Sequence, residues 1–129
     1  MYIMSYFPPN KAKINPVIEL NIEEELLNIE GNSLPENAYS LYLPIIKEFQ
    51  DRSEILTKNE KIFRTVFKLN YFNSSSLKMI ICILKTLTTI KGKDNLIIEW
   101  YYESAEPEMK ETGEDIASLL NIPIKYFTK

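Results

Sequence analysis

From Pro16 onward the chain alternates. Ile18, Leu20 and Ile22 are separated by Glu19 and Asn21, and Leu27 and Ile29 then alternate with Asn28 and Glu30. A period of two belongs to a strand with one buried face, so these runs predict an antiparallel hairpin. Gly31-Asn32-Ser33-Leu34-Pro35-Glu36-Asn37 is made of turn residues and predicts a loop. The spacing of Leu41, Ile45 and Phe49, with Tyr42 and Ile46 beside them, predicts a helix over Ala38 to Asp51. Pro44 conflicts with that pattern. It is expected either in a first turn beginning near Ser40 or at a kink. Lys61 to Phe72 alternates again, with Phe63, Phe67, Leu69 and Tyr71 on one face. Ser75 to Ile90 is apolar almost all round, as in a helix covered on several sides. Gly92 ends it. Asn95 to Glu103 is a strand with Trp100 and Tyr102 expected inward and Tyr101 on the polar face. Pro107 opens a last helix to about Leu120, with Met109, Gly113, Ile116 and Leu120 as its buried stripe. Ile124 to Phe127 is a short final strand. The order is ββαβαβα(β), an α+β fold with helices mainly on one face of the sheet. Residues 1–15, with Pro8 and Pro9, read as an N-terminal arm before a single domain at 16–129.

Composition narrows the chemistry. The 129 residues carry a net charge of −3 and no basic run, which excludes the concentrated positive surface that nucleic acid requires. No apolar run approaches the roughly 20 residues of a membrane span. The first ten residues lack the basic and apolar parts of a secretory signal. With one cysteine, Cys82, no internal disulfide forms, and a reducing cytoplasm fits. Cys82 sits among isoleucines and leucines and is expected as an inert core thiol. Histidine is absent. That removes the commonest general base and metal ligand, so no metal, cofactor or catalytic residue is assigned and no enzyme is expected. The carboxylates Glu106, Glu108, Glu111, Glu114 and Asp115 read as a solvated helix face with negative charge near its start.

One junction has chemistry of its own. Phe72-Asn73-Ser74-Ser75-Ser76-Leu77-Lys78 joins the long strand to the apolar helix. Asn or Ser at such a junction caps the helix by accepting from free backbone N–H groups. The same N–H groups and the helix dipole favour a dianion. A phosphate on a serine here adds about −1.5 to −2 charge without requiring the fold to break. Asn73-Ser74-Ser75 also matches a glycosylation sequon, expected as a chance match because no secretory signal is recognised.

Three blocks in order carry a resemblance: GNSLPEN at 31–37, Leu69 to Lys78, and Trp100-Tyr101-Tyr102 followed by Glu111-Thr112-Gly113-Glu114-Asp115. Together they cover most of the chain from Glu30 to Ile124. The sequence resembles the SiaC family of bacterial regulatory phosphoproteins, which is similar in architecture to the STAS domains of anti-sigma-factor antagonists. The resemblance implies a STAS-like mixed sheet of four to five strands. In SiaC-like proteins an Asn-Thr-Ser-Ser block is phosphorylated on its threonine, and that position is Ser74 here, with Ser75 as an alternative acceptor. Asn73, Ser75, Ser76 and Lys78 then surround the phosphosite. STAS domains carry an Asp before their phosphorylated serine, where this chain has Asn73.

The resemblance further implies a partner-switching circuit without membrane insertion. A serine/threonine kinase with a histidine-kinase-like ATPase fold adds the phosphate. A metal-dependent phosphatase of the PP2C type removes it. The unphosphorylated form binds an effector, in the best-known family context a diguanylate cyclase, linking the chain to cyclic di-GMP and biofilm control. In a STAS-like sheet order Pro35, Glu36 and Asn37 lie near Ser74 and help shape the partner surface, with Tyr101 as a further contact. A constitutive assembly subunit and a carboxylate-dependent enzyme are the competing readings.

Overall fold

The computed structural model describes residues 2–5 and 9–129, with side chains from residue 11 onward. In chain order its elements are β1 (Tyr2–Ser5), α1 (Pro9–Ala12), β2 (Val17–Asn21), β3 (Leu26–Ser33), α2 (Ala38–Asp51), α3 (Ser53–Lys58), β4 (Phe63–Phe72), α4 (Ser74–Lys91), a 3₁₀ turn (Lys93–Asn95), β5 (Leu96–Tyr102), α5 (Pro107–Leu120) and β6 (Lys125–Thr128). Among the described residues the strands form one six-stranded sheet whose spatial order is its chain order. β1–β2 and β2–β3 are antiparallel, and β3 to β6 run parallel. Each parallel step moves one place in the same direction. Right-handed crossovers therefore put every connecting helix on one face. This is the α+β architecture expected from the alternation, with six strands where four to five were expected, because the N-terminal segment adds β1 at the edge.

The buried face carries Ile18, Leu20, Leu27, Ile29, Phe63, Phe67, Leu69, Leu96, Ile98 and Trp100, all in the core. α4 is its central cover, with Ile80, Ile83, Leu84 and Leu87 fully buried. The open face carries Glu19, Asn28, Arg64, Lys68 and Glu99. Arg64 donates two hydrogen bonds to Glu99, 2.8 and 2.9 Å long. Those bonds hold the Glu99 carboxyl below its usual range.

Several expectations change. Tyr2–Ser5 of the expected arm is a strand at the sheet edge, paired with Ser5 opposite Ile18, and Pro9–Ala12 is a short helix. Met1 and residues 6–8 of that arm lie outside the described residues. α2 starts at Ala38, so Pro44 is inside the helix and not in its first turn. Pro44 and Ser40 are both exposed, so water can serve the Ser40 carbonyl that Pro44 leaves without a helical donor. Cys82 is exposed and not a core thiol. It shares with Lys78, Lys85 and Thr89 the one stripe of α4 that faces away from the sheet. Tyr102, near the sheet's edge, is half-buried where full burial was expected.

Two features fasten α4. At its C-terminal end Lys91 and Glu25 are buried, with side chains 1% and 0% exposed, and Lys91 Nζ lies 2.6 Å from Glu25 Oε1. The approach is off the line of a hydrogen bond. The ammonium instead donates to the carbonyls of Leu56 (3.0 Å) and Asn59 (2.9 Å) at the end of α3. Glu25 sits at φ 51°, a conformation a non-glycine residue adopts at some cost. The second fastening lies at the other end of α4.

Candidate functional site

Gly31 sets the geometry. At φ 104° it lies in the region that favours glycine, and the β3–β4 register slips just after it. Leu69 faces Gly31, whereas Asn32 faces Tyr71 and Ser33 faces Phe72. The bulge delivers Ser33 beneath the first turn of α4.

There a chain of buried hydroxyls forms. Ser76 Oγ donates to the Ser33 carbonyl at 2.9 Å. Ser33 Oγ lies 2.8 Å from Ser76 Oγ and 2.6 Å from Tyr42 Oη. Each hydroxyl has one proton to give. Since Ser76 spends its proton on the carbonyl, Ser33 must donate to Ser76, and Tyr42 must donate to Ser33. The run Tyr42→Ser33→Ser76→Ser33 carbonyl has one direction and no orphan proton. Burial pushes the Tyr42 phenol up to about 12, with Ser33 opposing in part. Tyr42 therefore keeps the proton that the chain requires.

Asn73 ties the neighbouring loop to the same place. Its backbone N–H donates to the Ser33 carbonyl at 3.1 Å, and its Nδ2 donates to the Pro35 carbonyl at 3.3 Å. Its Oδ1 caps α4 by accepting from Ser76 N at 2.9 Å and from Ser75 Oγ at 3.1 Å.

The three consecutive serines thus have three different fates. Ser76 is fully buried and engaged. Ser75 is exposed, with its hydroxyl proton given to Asn73. Ser74 is exposed at the first position of α4, and its Oγ has no hydrogen-bond partner among the described residues. Lys78, one turn on, is exposed.

The GNSLPEN loop does lie beside this junction. Pro35 is buried and shapes the surface from beneath, while Glu36 and Asn37 are exposed. Asn37 caps α2 by accepting from Ser40 N at 3.0 Å. A groove of about 300 Å³ runs along the α2 side of the loop, lined by Pro35, Glu36, Asn37 and residues of the N-terminal segment. A second, of about 230 Å³, lies on the α5 side between Tyr71, Phe72, Glu106 and Met109. Tyr101 is elsewhere, on the open face of the sheet. It stacks on Phe127 (ring centroids 5.0 Å apart) with Lys68 Nζ 4.9 Å from its ring centre. Ser33 and Tyr42 are participants the sequence reading did not assign. The one trace they left was a tyrosine on the apolar stripe of α2, which needs a polar partner when buried.

A sequence profile of the SiaC family of regulatory phosphoproteins matches residues 10–129. The chain belongs to that family. SiaC proteins are classed as regulators and not as enzymes, and this chain is classed with them. The chain is 26% identical over 109 residues to an uncharacterised protein of Pseudomonas aeruginosa (strain UCBPP-PA14), covering 84% of each. Apo-SiaC from Pseudomonas aeruginosa shares the fold with a TM-score of 0.80 at 21% identity, over 98% of each chain. SiaC in the crystal structure of the diguanylate cyclase SiaD with its activator SiaC, from the same organism, matches with a TM-score of 0.80 at 22% identity, over 100% of this chain and 99% of that one. At these identities the structural likeness is one of fold. Among the described residues no helix is long and apolar enough to cross a membrane.

Proposed function

We propose that this SiaC-family chain is a cytoplasmic partner-switching protein whose state is set by phosphorylation of Ser74. The observation that carries the reading is the separation of the three serines: one sealed, one engaged, and one exposed with a free hydroxyl at a helix start. A serine/threonine kinase of histidine-kinase-like ATPase fold transfers the γ-phosphoryl group of ATP to Ser74 Oγ. The γ-phosphorus–oxygen bond breaks, ADP leaves, and the hydroxyl proton passes to a base of the kinase. A PP2C-type phosphatase hydrolyses the ester. The first turn of α4 suits the product, because the N–H groups of Ser74 and Ser75 are not used by Asn73 and the helix dipole favours negative charge.

The unphosphorylated form binds and regulates an effector protein. The presence of a SiaC in complex with a diguanylate cyclase supports an effector of that class, through which the chain would act on cyclic di-GMP and biofilm formation. The docking surface gathers at the edge where Glu36, Asn37, Ser74 and Lys78 are exposed. Tyr101 marks its extension onto the open sheet face.

The test is quantitative. Incubation with ATP and a kinase of the stated class should add one phosphate, placed on Ser74 by fragment mass spectra. Ser74→Ala should block transfer and keep effector binding. The phosphorylated protein should bind the cyclase at least about tenfold more weakly, equivalent to roughly 1.4 kcal/mol. Phosphate found on Ser75 alone, or equal affinity in both states, would sink the proposal. Equal affinity would favour a constitutive assembly subunit.

A further inference from the structure

We infer that Ser74 sits on a helix that cannot move, so that its phosphate acts on the local surface and is not relayed along α4. This rests on Ser74 being the acceptor. Both ends of α4 are fastened by polar contacts to different parts of the fold, β3, α2 and the loop after β3 at one end and α3 and the β2–β3 turn at the other. At the N-terminal end Ser76 is held by the Tyr42–Ser33 chain, and Asn73 by the Ser33 and Pro35 carbonyls. At the C-terminal end Lys91 is held by the Leu56 and Asn59 carbonyls and by the Glu25 carboxylate. Between them Ile80, Ile83, Leu84 and Leu87 are fully buried.

The geometry leaves little play. The hydrogen bonds run from 2.6 to 3.3 Å at the start and from 2.9 to 3.0 Å at the end. Because both sets are carried by one helix, a shift of α4 disturbs the two ends together. Nor can the helix roll, because Ser76 and Lys91 are both inside. Hydroxyls and a charge stripped of partners in a dry interior are costly, which makes an intermediate position unfavourable. A dianion on Ser74, by contrast, is on the wet side of the first turn. It meets the free N–H groups there and the Lys78 ammonium one turn on. The switch therefore changes charge and bulk at one edge and leaves the core unaltered.

The experiment incorporates phosphoserine at position 74 by genetic encoding, which needs no kinase. Amide hydrogen exchange is followed by NMR in the modified and unmodified proteins. Changes of about tenfold or more should be confined to residues near the junction, with exchange at Ile80, Ile83, Leu84 and Leu87 altered by less than about threefold. In Ser76→Ala, which removes both side-chain bonds of Ser76 and leaves the first fastening to Asn73 alone, the same modification should speed exchange at those four amides. Ser33→Ala, a milder change that leaves Ser76 only its bond to the Ser33 carbonyl, serves the same purpose if Ser76→Ala does not fold. Exchange about tenfold faster along the middle of α4 in the otherwise native protein would overturn the inference, as would confinement that survives loss of the fastening. Effector affinity of the phosphoserine protein is measured in parallel. Unchanged affinity would refute the switch itself, whereas rapid exchange with weakened binding would refute only the fixed helix.

Discussion

Replacing Lys91 by Met should be among the most damaging single changes in this protein. The methionine fills much of the same space but removes the ammonium from three oxygens: the Leu56 and Asn59 carbonyls and the Glu25 carboxylate. Glu25 is fully buried, and its Oε2 has no hydrogen-bond partner of its own. Without Lys91 that carboxylate must stay charged without a counter-ion or take up a proton. Breaking one side of such a pair costs about 3–5 kcal/mol. Against a total of roughly 5–15 kcal/mol for a domain, that is a large share. The double change E25M/K91M removes the charge as well. Replacing both partners by apolar residues is often close to neutral, so the double variant should recover all but about 1–2 kcal/mol. Urea unfolding followed by tryptophan fluorescence, with slopes compared to confirm two-state behaviour, measures Lys91→Met, Glu25→Met and the double variant. A single-variant loss below about 1 kcal/mol, or a double variant whose loss equals the sum of the two singles, would refute the pairing argument.

Two further outcomes follow from the geometry. A methyl group at Gly113 would stand 3.0 Å from both Trp100 Cδ1 and Tyr126 Cε1, so Gly113→Ala should lose a net 1–2 kcal/mol or so, overpacking outweighing the better helix propensity of alanine. The emission of Trp100, the chain's one tryptophan, should shift; higher stability with unchanged emission would contradict this. Tyr42 retains its proton up to about pH 12 when folded, against an ordinary value of 10.0. Between these values the unfolded chain releases a proton that the fold keeps, so stability falls as pH rises, by about 3 kcal/mol in total. Tyr42→Phe should lose roughly 1 kcal/mol at neutral pH with its bond to Ser33, yet decline less steeply above pH 10. Parallel stability curves from pH 8 to 12 would show that Tyr42 is not the group responsible.

The elements were legible where one periodicity ran long enough. α2 and α5 fall on Ala38–Asp51 and Pro107–Leu120 as their apolar stripes predict. The alternation of Ile18, Leu20, Leu27 and Ile29 placed the hairpin and its inner face. Cys82 was misplaced because α4 is apolar on nearly every side, and periodicity could not say which narrow stripe met water. α3 was missed because six residues show less than two full turns of pattern. At the junction, a strand running into an Asn-capped helix was readable from local residues. The difference between Ser74 and Ser76 was not. It depends on Ser33, 43 residues away from Ser76, and on the bulge after Gly31 that carries Ser33 into reach. Glu25 and Lys91 gave no signal for a similar reason: charged residues in sequence read as surface until tertiary contacts bury them together.

The sheet never reverses the direction in which it is wound. In doubly wound proteins the reversal splits neighbouring loops apart and opens the crevice where nucleotides and other small molecules lodge. Here strands β3 to β6 advance without such a split. On the proposed reading, the chain carries its information as a covalent mark at a helix start and not as a molecule lodged at a strand switch point.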